Sequence, residues 1–149
     1  MSDDILQDLI VEFRSRFGDQ LDRFRLPPPV FTDMQGEVVA FDPAAGCLQT
    51  RFPLFERYLN PYGAVQGGVI AAAIDNTLGP LSLLVAPPNV TRRMELTFSR
   101  PALPEMDHIF ASAQFIERKD RLLIFSAEVR SPQGERLARA RAEHWIIST

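Results

Sequence analysis

The segment from Tyr58 to Thr91 contains a single charged side chain, Asp75, in thirty-four residues, although 23% of the sequence is charged. From Gly67 and Gly68 onward its apolar character predicts a buried helix. An ionised carboxylate in such a helix loses hydration unless another group compensates. We therefore expect Asp75 to have either a structural partner or a part in chemistry.

The composition is typical of one globular domain. With 149 residues and 46% hydrophobic side chains, the chain is long enough to bury about two-thirds of its unfolded surface. Its 16 basic and 19 acidic residues give a net charge of −3, so charge gives no reason to expect nucleic acid or an anionic membrane as partner. Asp75, Asn76 and Pro80 interrupt the uncharged segment, and we predict no membrane span there.

Cys47 is the only cysteine, so no intrachain disulfide can form and a reducing compartment is the simplest expectation. The first ten residues, MSDDILQDLI, begin acidic and lack the hydrophobic core of a signal peptide. We expect a cytoplasmic protein without a targeting segment.

Hydrophobic spacing predicts the order of helices and strands. Residues 3 to 17 have the spacing of an amphipathic helix, and Leu26-Pro27-Pro28-Pro29 then forms a connector or the wall of a pocket. Around the central helix we predict strands at 37–41, 47–55, 90–99, 109–118, 121–130 and 135–147. Two of these strands have alanine at alternate positions, which predicts a face that the helix approaches closely: Ala111 and Ala113, then Ala138, Ala140 and Ala142.

One helix wrapped by a curled antiparallel sheet is an α+β arrangement. Such a sheet leaves one side of the helix uncovered. A second copy of the chain would cover that side around a two-fold axis, so we expect a homodimer.

Gln66-Gly67-Gly68 precedes the apolar helical run. The first N–H groups of a helix have no partner within it, and the helix dipole adds partial positive charge there. Such a position can stabilise the oxyanion that forms when a thioester carbonyl is attacked. The structural alternative is that the two glycines only permit a tight turn or close packing.

Asp75 follows Gly67 by eight residues (75 − 67 = 8), which is roughly 12 Å along a helix. The two residues of one chain cannot serve the same carbonyl. Antiparallel copies of the helix across a two-fold axis would bring Gly67 of one subunit near Asp75 of the other. A catalytic site would therefore lie between subunits; alternatively, Asp75 bonds to Asn76 or Thr77, or caps the partner helix.

The pattern as a whole resembles the hotdog-fold acyl-CoA thioesterases of the PaaI-like group, within the 4-hydroxybenzoyl-CoA thioesterase superfamily. That family has an Asn, a His-Gly-Gly six residues later, an acidic residue nine beyond the His, and Ser or Thr at the start of the next strand, which ends in Pro-Ala. The matching residues here are Asn60, Gln66-Gly67-Gly68, Asp75, Thr91 and Phe98-Ser99-Arg100-Pro101-Ala102.

The match extends from about residue 36 to residue 147. It implies one hotdog domain over residues 1–149, in which a long central helix is wrapped by a curved antiparallel sheet. Residues 1–26 would be an N-terminal helical extension, and residues 36–147 the hotdog core.

The resemblance also implies roles for individual residues. Asp75 would be the nucleophile or general base, and the Gly67 N–H would polarise the thioester carbonyl, with Gly68 beside it at the substrate. Thr91 would orient the attacking water. Asn60 would lie near the carbonyl or the water of the opposing subunit, although Asn before Pro is also an ordinary turn residue.

Gln66 is the main departure, because the family has histidine at this position. A glutamine amide can donate a hydrogen bond to the carbonyl, but it cannot carry a proton or a positive charge at neutral pH. His108 and His144 lie far from the motif in the sequence, and we expect both to be structural.

The implied substrate is an acyl-CoA, with no separate cofactor, and its phosphates need local cations. The candidates are Arg92, Arg93 and Arg100 around one strand, and Arg118, Lys119 and Arg121 at a hairpin. For the acyl pocket we expect residues near Asp75: Leu78 and Ser82 on the same helical face, with Phe31 or Phe55 as further candidates.

Two functions from different classes follow. The first is hydrolysis of an acyl-CoA thioester by a homodimeric or homotetrameric enzyme. The second, favoured by Gln66, is a non-catalytic hotdog protein that binds acyl-CoA or an acyl carrier. A hotdog dehydratase ranks lower, because it needs a His/acid pair near the helix and no histidine is present there.

Overall fold

The computed structural model describes residues 2–147, which form three α-helices and one six-stranded sheet. The helices are α1 (Ser2–Phe17), α2 (Pro29–Asp33) and α3 (Gly67–Val85). The strands are β1 (Glu37–Asp42), β2 (Cys47–Pro53), β3 (Asn89–Phe98), β4 (His108–Lys119), β5 (Leu122–Arg130) and β6 (Arg136–Ile146). Short 3₁₀ helices occur at Gly18–Arg23, Glu56–Tyr58 and Pro104–Met106.

The sheet is antiparallel throughout, in the order β1-β2-β4-β5-β6-β3. It curves around α3, which packs against β2, β3, β4 and β5. The predicted α+β arrangement, a long central helix wrapped by a curved antiparallel sheet with an extra N-terminal helix, is confirmed. The last strand in this order, β3, lies at an edge, and this position matters for the site.

Small side chains allow α3 to lie close to the sheet. All five alternating alanines of β4 and β6 are buried, as predicted. Burial alternates along β4, where Ile109, Ala111 and Ala113 are buried and the residues between them are partly exposed. This period of two places the alanines on the face that carries the helix.

Helix α3 is long and apolar enough by composition to cross a membrane. In this structure it is instead the core helix of the domain, with eight of its side chains buried. Pro80 lies inside it and has no N–H to give to the carbonyl of Asn76, one turn earlier. The helix nevertheless continues to Val85.

The segment before the core includes a short helix, although its prolines predict an irregular connector. The predicted connector ends at Pro28, and Pro29 begins the short helix α2. Proline is favoured in the first helical turn because the N–H that it lacks has no partner there. Helix α1 packs against β1 and α3, and its buried side chains Leu9 and Phe13 extend the core.

A buried hydroxyl pair fixes α3 to the sheet. Thr50 on β2 and Thr77 on α3 are both fully buried, and their Oγ1 atoms are 2.7 Å apart. Thr77 also donates to the carbonyl of Ala73 at 2.7 Å, so Thr50 is the donor within the pair. The only other acceptor recorded for the Thr50 hydroxyl in residues 2–147 is the Ala111 carbonyl, at 3.5 Å.

Thr77→Val should lower the free energy of unfolding by about 1–3 kcal/mol, because it leaves the buried Thr50 hydroxyl without a good acceptor. The double variant Thr50→Val/Thr77→Val should be more stable than Thr77→Val, since both polar groups are then replaced by apolar groups of the same shape. Chemical denaturation of the single and double variants measures this. A double variant whose loss equals the sum of the two single losses would contradict it.

Candidate functional site

Four of the five predicted catalytic residues line two cavities, one toward each end of β3, and Gln66 lines neither of them. The first, here called the Asp75 cavity, has a volume of about 350 Å³. It lies beside the second half of α3 and the start of β3. Its lining residues are Leu26, Pro28, Asp75, Asn76, Gly79, Pro80, Ser82, Leu83, Asn89, Val90, Thr91 and His144.

Asp75 lies on the side of α3 that the sheet leaves uncovered, and its side chain is exposed in the single chain. The expectation of a buried carboxylate is therefore wrong for one chain. The local partners considered for it are not used either, because Asn76 and Thr77 both donate to backbone carbonyls of the preceding turn. Its partner is Thr91, whose Oγ1 donates to Asp75 Oδ1 over 2.9 Å.

A β-bulge explains how Thr91 faces Asp75. The pairing of β3 with β6 shifts register between Thr91 and Arg93, so Arg92 is the extra residue. Met94 packs against the core, and in a regular strand a residue three positions earlier would point to the opposite face. The bulge turns Thr91 to the helix side of the sheet, a device that is common beside active sites.

His144 also belongs to this arrangement, which the sequence did not reveal. It pairs with Thr91 across the two strands, and its Nε2 is 3.4 Å from Thr91 Oγ1. Its Nδ1 is 2.8 Å from the carboxamide oxygen of Asn89, which can only accept, so Nδ1 carries the proton. Burial lowers the pKa of His144, and the charge of Asp75 opposes this with a smaller upward effect.

His144 is buried and hydrogen-bonded, which fits the structural role expected of it, and it also lies beside Thr91. In the neutral ring Nε2 has a lone pair, and the single hydroxyl proton of Thr91 is donated to Asp75. His144 limits the directions that Thr91 can adopt and lies in the same cavity as Asp75. The pairing of β3 with β6 places His144 there, and the strand pattern of the sequence does not predict which residues of two strands face each other.

The second cavity, here called the Gly67 cavity, has a volume of about 380 Å³. It lies at the first turn of α3 and the end of β3. Its lining residues are Asn60, Ala64, Val65, Gly67, Ile70, Phe98, Ser99, Arg100, Pro101, Ala102, Leu137 and Ala138. Gly67 and Asn60 are therefore brought together, but Asp75 is not with them.

Gly67 is the first residue of α3, and both of its predicted uses are compatible with the structure. A Cβ at this position would lie 3.1 Å from the ring of Phe98, so the glycine permits close packing. At Gly68 the same atom would meet nothing within 4 Å. Within residues 2–147, no acceptor is found for the N–H of either glycine.

Gln66 occupies the position before α3 without capping it through its side chain. Its backbone N–H donates to the carbonyl of Tyr58 at 2.9 Å, which holds the loop against the helix start. The side chain is exposed, and no hydrogen bond to it occurs among the described residues. Its amide is therefore free to contact a ligand.

Asn60 stabilises a turn, which is the structural role expected as the alternative to a catalytic one. Its Oδ1 accepts hydrogen bonds from the N–H groups of Tyr62 (2.9 Å) and Ala64 (3.1 Å). This fixes the loop that leads to Gln66. The amide nitrogen of Asn60 has no partner within the described residues, and the side chain borders the Gly67 cavity.

The two acyl-pocket residues predicted on α3 lie in different surroundings. Ser82 lines the Asp75 cavity and donates to the carbonyl of Gly79 at 2.6 Å. Leu78 is fully buried in the core and does not line that cavity. At three residues beyond Asp75 it turns toward the sheet, while Gly79, four residues beyond, stays on the side of Asp75.

No protein-family model matches the sequence, and no curated protein matches it significantly. Solved structures do. A phenylacetic acid degradation-related protein from Ralstonia eutropha JMP134 is 26% identical with a TM-score of 0.75, over 87% of this chain and 99% of that one. The PaaI protein of the E. coli phenylacetic acid degradation operon is 14% identical with a TM-score of 0.76, over 91% and 94%. Thioesterase HI1161 from Haemophilus influenzae is 18% identical with a TM-score of 0.73, over 82% and 85%.

The chain has the hotdog fold of the PaaI-like thioesterases. The resemblance inferred from the motif is confirmed. The likeness covers nearly the whole length of the first two of these proteins.

The predicted cations on β3 of this hotdog domain face different surroundings. Arg92, the bulged residue, stacks on Trp145 with its guanidinium carbon 4.7 Å from the ring centroid. Trp145 follows the inward-facing His144 on β6, so this pair lies on the opposite, convex face of the sheet. Arg93 forms an exposed ion pair with Glu95.

The hairpin cations lie near the carboxyl end of α3. Arg118 donates from Nε to the carbonyl of Asp120 at 2.9 Å and borders a cleft of about 490 Å³. Lys119 pairs with Glu117 at 3.4 Å, an exposed contact that is weak in water. The Arg121 side chain has no hydrogen-bond or ion-pair partner among residues 2–147. None of these three borders the Asp75 cavity.

A groove of about 600 Å³, larger than either the Asp75 cavity or the Gly67 cavity, lies along strands β1, β2, β4, β5 and β6. It is lined by outward side chains such as Gln49, Ser112 and Arg139 and contains none of the motif residues. Size alone therefore does not identify the site. Among the described residues, no group of three His, Cys, Asp or Glu side chains is arranged to hold a metal ion.

The lowered pKa of His144 makes the stability of the protein depend on pH. The native state disfavours the protonated ring, so the unfolded state binds more protons below the ordinary histidine pKa of about 6.5. The free energy of unfolding should therefore be highest above that pH and fall as the solution is acidified. Denaturation of the wild type between about pH 8 and pH 5 measures this.

Two variants test whether His144 causes that pH dependence. His144→Gln should remove the His144 contribution, whereas Asp75→Asn should increase it, because it removes the charge that raises the pKa of His144. The same slope against pH in all three proteins would contradict the assignment.

Proposed function

We propose that this protein is an acyl-CoA thioesterase that hydrolyses the thioester to a free acid and CoA. The observation that supports it most is the state of Asp75. One carboxylate oxygen is held by Thr91, while Oδ2 has no partner within residues 2–147 and the side chain is exposed beside a cavity. Structural neighbours described as thioesterases have the same fold.

In the proposed reaction Asp75 either removes a proton from the water that attacks the thioester, as a general base, or attacks the thioester itself, as a nucleophile. The carbonyl carbon gains a bond to oxygen, and the charge that develops on the carbonyl oxygen is stabilised by the Gly67 N–H and the dipole of α3. The C–S bond then breaks, and on the general-base route the CoA thiolate takes up the proton that Asp75 removed from water. On the nucleophilic route an acyl-aspartyl anhydride forms, and water hydrolyses it to the free acid while its proton passes to the CoA thiolate. Thr91 positions the carboxylate, and its oxygen lone pairs can still accept a hydrogen bond from water.

The proposed site requires two subunits. Gly67 and Asp75 border different cavities, at the end and at the start of β3 respectively. The strand is at the edge of the sheet, and an edge strand can pair with a second copy of itself. Antiparallel pairing of two β3 strands would place the start of one beside the end of the other. The two half-sites would then meet across the dimer.

Surface character supports this dimer. Val90 and Phe98, at the two ends of β3, are 48% and 54% exposed in the single chain. Asp75 and Gly67 are exposed on the uncovered side of α3. A second copy would bury these groups, and it would surround Asp75 with the apolar environment that the sequence indicates. Pairing of dimers into a tetramer is an additional possibility for this fold that we do not require.

A non-catalytic protein that binds acyl-CoA or an acyl carrier is the second candidate. Gln66 favours it, because its exposed amide can hold a carbonyl but cannot supply a proton or a positive charge. The two candidates share the site and differ in turnover. In either case CoA is part of the ligand, and we propose no separate cofactor. We also propose a cytoplasmic location, because the free thiol of Cys47 is compatible with a reducing compartment.

Asp75→Asn should lower kcat for acyl-CoA hydrolysis by at least about a hundredfold, because the amide can act neither as base nor as nucleophile. Release of the CoA thiol from a panel of acyl-CoA substrates measures this, with Asp8→Asn on the exposed surface of α1 as control. Undiminished hydrolysis by Asp75→Asn would refute the mechanism. Binding of acyl-CoA by the wild type without hydrolysis would favour the second candidate.

Gly67→Pro tests the backbone donor. Proline is well tolerated at the first helical position, and the extended conformation of Gln66 suits a residue before proline, so the helix should be retained while the N–H is lost. Gly67→Ala is the matched control, because it introduces the same contact with Phe98 but keeps the N–H. We expect hydrolysis to fall about 10²–10³-fold further in Gly67→Pro than in Gly67→Ala.

Mixing Asp75→Asn and Gly67→Pro subunits tests whether the site is shared. In a mixed dimer one site combines an intact Asp75 with an intact Gly67, and the other contains both substitutions. Random pairing makes half of the dimers mixed, so co-refolded subunits should recover about a quarter of wild-type activity. No recovery would show that each site lies within one chain.

A further inference from the structure

We propose that the N-terminal segment of this chain forms the far wall of the acyl pocket and sets the length of acyl group that is accepted. This inference rests on the proposed function. It decides between the two uses predicted for Leu26-Pro27-Pro28-Pro29 in favour of a pocket wall. The acyl group that fits is neutral and apolar.

The wall is formed by Leu26 and Pro28, which line the Asp75 cavity opposite α3. Leu26 is partly buried, and its side chain packs against the hydrophobic core. Both residues precede the stretch that carries the sequence motif, which begins at about residue 36. An acyl group that enters beside Asp75 would therefore meet a surface supplied by the N-terminal segment.

A second, much smaller cavity of about 30 Å³ lies behind this wall. It shares Leu26, Pro28, Asn76 and Pro80 with the Asp75 cavity, so the two cavities are adjacent. Its other lining residues are apolar: Leu6, Leu9, Ile10 and Phe13 of α1, with Pro27, Phe31 and Val38. Phe31, one of the predicted acyl-pocket residues, therefore lines this second cavity.

The linings define the chemistry of the ligand. Polar groups of the Asp75 cavity lie around Asp75, Thr91 and His144, where the thioester would be. The residues shared with the second cavity are apolar except for Asn76: Leu26, Pro28 and Pro80. No lysine or arginine among the described residues lines either cavity. An acyl group with a second carboxylate would find no counterion there and would lie close to Asp75.

The inference predicts opposite effects of two substitutions at one position. Leu26→Ala should join the two cavities, and the ratio of kcat/KM for dodecanoyl-CoA to that for butanoyl-CoA should rise by roughly tenfold. Leu26→Trp should fill the pocket and lower the same ratio by a similar factor. Val11→Ala, on the exposed side of α1 and outside both cavities, is the control and should leave the ratio unchanged.

A binding measurement separates this inference from the proposed hydrolysis. The Asp75→Asn background would be titrated calorimetrically with ketone analogues, in which a methylene group lies between sulfur and the carbonyl carbon, carrying the butanoyl-length or the dodecanoyl-length chain. The ratio of the two Kd values should follow the Leu26 substitutions in the same direction as the kinetic ratio.

The outcomes are distinct. If the protein binds or hydrolyses both substrates and Leu26→Ala, Leu26→Trp and Val11→Ala give the same chain-length ratio, the inference is overturned while the proposed function stands. An equal loss for both chain lengths in the Leu26 variants would indicate a purely structural role and would also overturn it. If the wild type neither hydrolyses nor binds any acyl-CoA, the proposed function fails and the inference fails with it.

Discussion

Close packing of α3 against the alanine-bearing face of the sheet is the constraint on which the rest of the structure depends. Small side chains bring the helix near the strands, and the buried hydroxyl pair of Thr50 and Thr77 fixes its position along them. A single curved sheet can cover only one side of the helix. The other side, with Asp75, is left exposed, so the packing that builds the core also presents the carboxylate.

The same geometry divides the candidate site. Helix α3 and strand β3 run beside each other, and the motif residues form two groups. Gly67 at the start of α3 lies with Phe98 at the end of β3, and Asp75 in the middle of α3 lies with Thr91 near the start of β3. No rearrangement within one chain would join them, because the helix is rigid over this length. A second subunit paired antiparallel along the free edge of β3 would place Gly67 of each subunit near Asp75 of the other. A single dimer interface would then complete both sites.

Much of this fold was predictable from sequence, because apolar periodicity and turn residues act locally. Helix α3, the six strands and the alanine face follow such patterns. Features that depend on register were not predictable. The bulge at Arg92 directs that side chain to the convex face, and the pairing of β6 with β3 brings His144 beside Thr91. Leu78 lies on the core side of α3 and not beside Asp75, because a step of three residues falls short of one helical turn.

The position of His144 bears on whether another histidine replaces the positive charge that Gln66 cannot supply. The site does contain an imidazole, but burial lowers the pKa of His144 and its only N–H in the neutral form is donated to Asn89. It is therefore poorly suited to supply a positive charge to an oxyanion at neutral pH, and it lies in the Asp75 cavity rather than beside Gly67. In the proposed mechanism stabilisation of the oxyanion depends on the backbone N–H of Gly67, the helix dipole and the neutral amide of Gln66. Removing that N–H should consequently cost more here than in a relative whose histidine shares the charge.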